Sequence, residues 1–306
     1  MNNPSLPQGV FMKRFSIFAA ICMFFGLQSI SAQKIAVLNG PSSIPCAYIM
    51  EENQEYEFMN CASAQIELPK LIKGELDLGF LPPNLAAKVH TENKGALVCL
   101  GICGNGNIYL ITKDENFSDM SQLQGKTVAC AGQGATPEYV SKYILEKKGI
   151  KNVTLDFSIP NPQIVPSLLA GKFEYAIVPE PFASAAETKD SGIKRFSISS
   201  EFSKLNGGKD FPMTVLVANR KYASTHKKEI DAFLKIYENA VKRTVANPSV
   251  AAKLSEKHNL GLTAEIAEKA IPNCAFTWIP AKKSKAQIEI LLKIFAQKIP
   301  DSKFYY

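Results

Sequence analysis

Apolar residues fall in two patterns along this chain. Up to about residue 220 they form short blocks of four to six, punctuated by Gly and Pro, which reads as buried strands. The spacing predicts strands over 34–38, 57–61, 76–81, 97–112, 127–130, 154–157, 175–178 and 213–217, with helices between them. Such alternation belongs to an α/β protein with parallel or mixed sheets covered by helices. From about residue 221 the chain turns helical. Ile230, Phe233, Leu234, Tyr237, Ala240 and Val241 share one helix face, and Ile288, Leu291, Leu292 and Phe295 mark a last amphipathic helix. Asn247-Pro248 and Thr263 are helix starts.

Two stretches recur in order. Segment 34–45 (KIAVLNGPSSIP) lines up with 126–137 (KTVACAGQGATP), and 71–87 (LIKGELDLGFLPPNLAA) lines up with 168–184 (LLAGKFEYAIVPEPFAS). Each pair is a strand running into a Gly- or Pro-bearing turn. The period is too long for a solenoid, so two copies of one α/β lobe are expected. In open α/β sheets ligands sit beyond the carboxyl ends of the strands. Four loops qualify: Asn39, Gly40, Ser42 and Ser43 in the first; Pro82 and Asn84 in the second; Gln133, Gly134, Ala135 and Thr136 in the third; Glu180 and Phe182 in the fourth. In the third, Thr136 is the expected N-cap, Pro137 the first helical residue and Gly149 the stop. Gly132 and Gly134 either let backbone N–H groups approach a ligand or merely turn the chain. The full P-loop and GxGxxG patterns are absent. Glu180 is the one acid in the set, either pairing with a cationic or N–H-rich ligand group or standing as an exposed or capping carboxylate. Phe182, Phe80 and Tyr48 are pocket-lining or core aromatics.

At its start the chain carries Lys13 and Arg14, an apolar run over 15–27, and the small residues of 28–32. That is an export signal, with cleavage expected after Ala32 and Met12 as an alternative start. Ile21 before Cys22 argues against a lipoprotein. An extracytoplasmic, periplasmic location follows. The six later cysteines (Cys46, Cys61, Cys99, Cys103, Cys130 and Cys274) form no compact disulfide framework, and buried free thiols are expected. His90, His226 and His258 form no zinc pattern, so neither metal nor cofactor is expected. No Ser/His/Asp arrangement or pair of catalytic carboxylates is readable.

The formal charge of +7 on 306 residues, 46% of them hydrophobic, invites a nucleic-acid reading. Its distribution removes that reading. Residues 33–220 hold 18 Lys and Arg against 20 Asp and Glu, whereas 221–306 hold 15 against 8. The excess sits on the helical tail, away from the four loops, none of which contains Lys or Arg. It reads as a solvated face, with a basic patch as the other possibility.

Four further stretches carry a resemblance: 120–128 (MSQLQGKTV), 134–138 (GATPE), 169–182 (LAGKFEYAIVPEPF) and 74–77 (GELD). On these the chain resembles the solute-binding proteins of ABC importers in the nitrate/sulfonate/taurine and thiamine-precursor group (SsuA/Thi5-like, NMT1-like). The resemblance implies a bilobed periplasmic-binding-protein type II (Venus flytrap) fold, with two mixed-sheet lobes and two hinge crossings. Those crossings are expected near 108–113 and 212–219. Lobe one would comprise 33–110 plus 214–306, and lobe two 111–213, after a signal over 1–32. It implies ligand contacts at Ser42, Ser43, Asn84, Gly134, Thr136 and Glu180. The expected protein is a non-enzymatic monomer that encloses a small polar or heterocyclic solute, sulfonate-like or thiamine-pyrimidine-like. Its partners would be an ABC permease and its ATPase. An enzyme on the same fold, pyrimidine-synthase-like or menaquinone-pathway-like, is the alternative.

Overall fold

Among the described residues, eleven strands and twelve α-helices follow one another along the chain. They begin with β1 (Gln33–Leu38), α1 (Cys46–Glu52), β2 (Tyr56–Cys61), α2 (Ala64–Lys73), β3 (Leu78–Leu81), α3 (Pro83–Glu92), β4 (Leu97–Asn105) and β5 (Ile108–Thr112). Next come β6 (Thr127–Cys130), α4 (Thr136–Lys147), β7 (Thr154–Asp156), α5 (Asn161–Leu169), β8 (Tyr175–Pro179), α6 (Phe182–Lys189), β9 (Lys194–Ser197) and α7 (Ile198–Leu205). The chain then runs through β10 (Pro212–Asn219), α8 (Arg220–Thr225), α9 (Lys227–Ala246), α10 (Pro248–Lys257), α11 (Ala264–Ala270), β11 (Phe276–Pro280) and α12 (Ala281–Ile294). This computed structural model describes Met1 and residues 32–306. The expected export signal lies outside the described residues apart from its two end positions. Among the described residues, no helix is long and apolar enough to cross a membrane.

The strands form two mixed sheets, in the orders β11-β4-β10-β3-β1-β2 and β7-β6-β8-β5-β9. In the first, β1 runs parallel to β2 and β3, while β10 is antiparallel to β3 and β4. In the second, β6 runs parallel to β7 and β8, while β5 is antiparallel to β8 and β9. The run β10-β3-β1-β2 thus matches β5-β8-β6-β7, strand for strand and direction for direction. The sequence echo has its physical origin here: β1 corresponds to β6 and β3 to β8.

Both sheets are covered on both faces, which is why their strands read as continuous apolar blocks. Period-two alternation sorts the residues. Ile35 and Val37 join a core with Phe80, Phe233 and Tyr237, while Ala36 joins the opposite one with Leu71, Val217 and Leu292. In the second sheet Val128 and Cys130 pack with Val140, Ile144 and Phe202, and Ala129 and Ala131 with Ile164 and Leu168. Helix α12 serves both sheets. Its Ile288 and Leu292 lie in a first-sheet core, while Leu291 and the adjoining Phe295 lie in a second-sheet core. Phe295 stacks on Tyr139 of α4, ring centroids 4.3 Å apart.

Three expectations need correction. The strand expected over 97–112 is two strands in different sheets, broken at Gly106-Asn107. A Cβ on Gly106 would lie 2.6 Å from the Phe211 ring, so the outgoing chain passes flat against the segment that returns it. The lobe boundary expected after residue 110 therefore falls inside β5, which pairs wholly within the second sheet. The tail beyond 221 is not all helix, because β11 pairs with β4. The edge strand β9 went unpredicted as well; it is short, half-exposed and lacks an apolar run.

Candidate functional site

Strand direction gathers the four loops in pairs. The first follows β1 and the second follows β3, which run parallel as neighbours. The third follows β6 and the fourth follows β8, likewise parallel neighbours. Each pair therefore leaves the same end of its sheet.

In the first loop Gly40 has φ +121°, open to glycine and strained for other residues. Its N–H donates to the Leu260 carbonyl (2.8 Å), tying the loop to the end of α10. The next residues form a 3₁₀ turn, Pro41–Ser43. Ser43 is fully buried and its hydroxyl donates to the Gly40 carbonyl (2.8 Å), so it shapes the loop. Asn39 is exposed and Ser42 half-buried. In the second loop Pro82 caps α3, Pro83 begins it, and Asn84 is half-buried.

The third loop departs from expectation in its hydrogen bonds. The N-cap is Ala135, and Thr136 is already helical and buried. Gly132 and Gly134 do take positive φ, +74° and +72°. Their N–H groups, however, are engaged: Gly134 donates to Glu138 Oε2 (2.7 Å) and Gly132 to Asn161 Oδ1 (3.2 Å). Glu138 thus supplies the reach-back cap at this helix start. Gln133 and Gly134 remain exposed and Ala135 half-buried.

The fourth loop holds the strongest electrostatics. The Glu180 side chain is fully buried. Its Oε1 accepts from Arg195 Nη1 (2.6 Å) and Ser184 Oγ (3.0 Å), and its Oε2 from Ser184 N (3.1 Å). Burial pushes the carboxyl up from its ordinary value, and Arg195 and Ser184 oppose that shift. Arg195 also engages Glu187 through both Nε and Nη2, and lies over the Tyr109 ring, 5.0 Å from its centroid. Of the two roles open to Glu180, the structure shows the cap on α6, joined to an ion pair internal to the protein. Phe182 begins α6 and packs half-buried on the second-sheet core.

Where the chain leaves the first sheet at Gly106-Asn107 lies a cavity of about 20 Å³, roughly one water in size. Its lining includes Ser42, Asn105, Asn107, Thr214, Cys274 and Phe276. Of the twelve expected site residues only Ser42 reaches it. Asn107 stands at the crossing itself, with Oδ1 buried and without a hydrogen-bond partner. Its carbonyl accepts from Glu180 N (2.9 Å), linking the fourth loop to the cavity. Contacts also join one sheet's elements to the other's. Tyr109 donates to the Asn273 carbonyl (2.9 Å), Lys269 Nζ to Thr188 (3.2 Å), and Ser184 Oγ lies 3.3 Å from the Lys269 carbonyl. The sequence signal for Asn107 was present: Gly104-Asn-Gly-Asn107 is a turn composition inside a presumed strand. Arg195 carried no such signal, because its role depends on a long-range pairing.

The six cysteines after Cys22 are all buried free thiols. Among the described residues, no group of three or more His, Cys, Asp or Glu side chains could hold a metal ion.

Residues 47–257 match the sequence model of the NMT1-like family. Among curated proteins, none matches the chain. An ABC transporter from Parabacteroides distasonis is similar in structure with a TM-score of 0.73 at 24% identity, covering 90% of this chain and 99% of its own. The periplasmic aliphatic sulphonate binding protein SsuA from Escherichia coli gives 0.69 at 16% identity, covering 90% and 92%. The periplasmic nitrate-binding protein NrtA from Synechocystis PCC 6803 gives 0.61 at 14% identity, covering 86% and 80%. The shared architecture is the type II periplasmic-binding-protein fold, two mixed sheets with their helices.

Proposed function

The chain belongs to the NMT1-like family, and from that premise we propose that it is the extracytoplasmic solute-binding component of an ABC importer. Two lobes, one on each sheet, close over a small solute at the cavity where Ser42, Asn107 and Thr214 meet. The bends lie at Gly106-Asn107 and at Phe211-Pro212. The loaded, monomeric protein, exported to the periplasm, docks on a membrane permease whose ATPase drives import.

The carrying observation is the cavity at the chain crossings, bounded by the end of the first loop and by both crossings, with a buried amide oxygen seeking a donor. Its polar lining is uncharged. The nearby guanidinium, Arg195, is matched by Glu180 and Glu187. That favours an uncharged polar or heterocyclic solute over one held by an ion pair. The reading is one of binding without turnover.

A thermal-shift screen of the purified protein against pyrimidines, thiamine precursors, alkanesulfonates and nitrate tests this. A binding solute raises the melting temperature by mass action, and it is recovered unchanged. Recovery of a chemically altered solute overturns the reading in favour of an enzyme.

A further inference from the structure

At the opposite end of the first sheet from the loops lies a groove of about 540 Å³. Strand pairing fixes its place. Asn219 at the end of β10 lies beside Leu97 at the start of β4, and Ala218 beside Leu78 at the start of β3. The groove's walls come from three stretches distant in sequence: His90 and Lys94 near the end of α3, Arg220 at the start of α8, and Lys298, Asp301 and Lys303 near the end of the chain.

Its charge is one-sided. The single carboxylate, Asp301, faces His90 Nε2 at 3.2 Å. Among the described residues, Lys94, Arg220, Lys298 and Lys303 take part in no ion pair, and what sets them apart from other unpaired surface lysines is that all four line one groove. Arg220 is held in place by two backbone carbonyls: Nη2 donates to Lys303 O (2.8 Å) and Nε to Gly95 O. Gly95 makes room for this, since a Cβ there would lie 3.1 Å from Nε. The guanidinium is therefore fixed but not neutralised, and among the described residues its Nη1 has no hydrogen-bond partner. The lysines around it are exposed and free to move.

A fixed planar fork flanked by mobile ammonium groups suits tetrahedral oxyanions carrying more than one charge. We propose that this groove binds a phosphate-bearing anion, with Arg220 as the fixed donor and Lys94, Lys298 and Lys303 closing over it. The site is separate from the cavity at the chain crossings and stands whether or not the importer reading does. It also gives part of the tail's excess charge a location.

Calorimetric titration of the purified protein with inorganic pyrophosphate, at low and at physiological salt, tests the proposal. The triple variant Lys94→Gln, Lys298→Gln, Lys303→Gln changes exposed side chains only, and its melting curve serves as the folding control. The expected result is pyrophosphate binding that weakens with salt and at least about tenfold in the variant, the equivalent of one lost charge-assisted contact. No binding by the unaltered protein, or equal binding by the variant, overturns it. Sedimentation with phosphatidylglycerol vesicles, reversed by pyrophosphate, assigns the phosphate to a lipid headgroup. Pyrophosphate binding without sedimentation assigns it to a soluble compound.

Discussion

Single residues decide two properties that no pattern of apolar blocks reveals. Glu67 lies on the core-facing stripe of α2, fully buried, with neither carboxylate oxygen partnered. Burial pushes its carboxyl up from the ordinary 4.5 to about 8. The folded protein thus holds a proton that the unfolded chain has already lost. Unfolding releases it between about pH 4.5 and 8, so stability falls as pH rises through that window, by up to about 1.4 kcal/mol per unit. Glu67→Gln keeps the shape of the protonated acid without the titration. Denaturant melts should show the two proteins alike near pH 5, and the variant more stable by several kcal/mol at pH 8.5. A constant gap across that range would mean that Glu67 ionises normally. Asn107 makes the companion case in the cavity. Asn107→Leu should keep the melting temperature within a few degrees and weaken a solute found in the screen by about tenfold or more, as expected for a buried polar contact. Nothing in the sequence singles out Glu67, whereas Asn107 sits in a turn-like Gly104-Asn-Gly-Asn107 run inside a presumed continuous strand.

At the scale of elements, the sequence was most readable where one segment decides its own state. Strand β6 has the expected bounds, α10 starts at Asn247-Pro248, and Thr263 Oγ1 caps α11. It was least readable where two segments decide together. The break between β4 and β5 exists because Gly106 lies against Asp210 and Phe211, its N–H donating to Asp210 Oδ2 (3.1 Å). Strand β11 exists because β4 offers it a partner. Crowding by backbone also marks Gly101, where a Cβ would meet the Ile279 carbonyl at 2.6 Å. Gly106→Ala should therefore lower stability by about 1–3 kcal/mol through overpacking, measured by chemical denaturation. The same change at Gly104, where a Cβ would meet nothing within 4 Å, is the control.

Across the whole molecule, the internal echo was the most informative sequence feature, because matching strands in matching directions place one copy on each sheet. What the echo does not contain is α12, which lies outside both copies yet contributes Leu292 to one core and Leu291 to another. Phe295→Ala removes the stacked partner of Tyr139 and opens a hole beside the second-sheet core. A loss of about 3 kcal/mol is expected, with amide hydrogen exchange rising first in α4 and α7. Exchange rising only in the first sheet's helices would place the helix's weight on the other side.

The same helix bears on how fast a solute is taken up. To part the two sheets, the aromatic stack between Phe295 and Tyr139 and the hydrogen bonds between their elements must yield or slide, and a stack alone is worth about 0.5–1.5 kcal/mol. Opening then becomes a step of its own, ahead of encounter. In a stopped-flow experiment following the single tryptophan, Trp278, the observed rate should level off as solute concentration rises. The plateau should report the clock of the protein's own breathing, and Phe295→Ala should raise it.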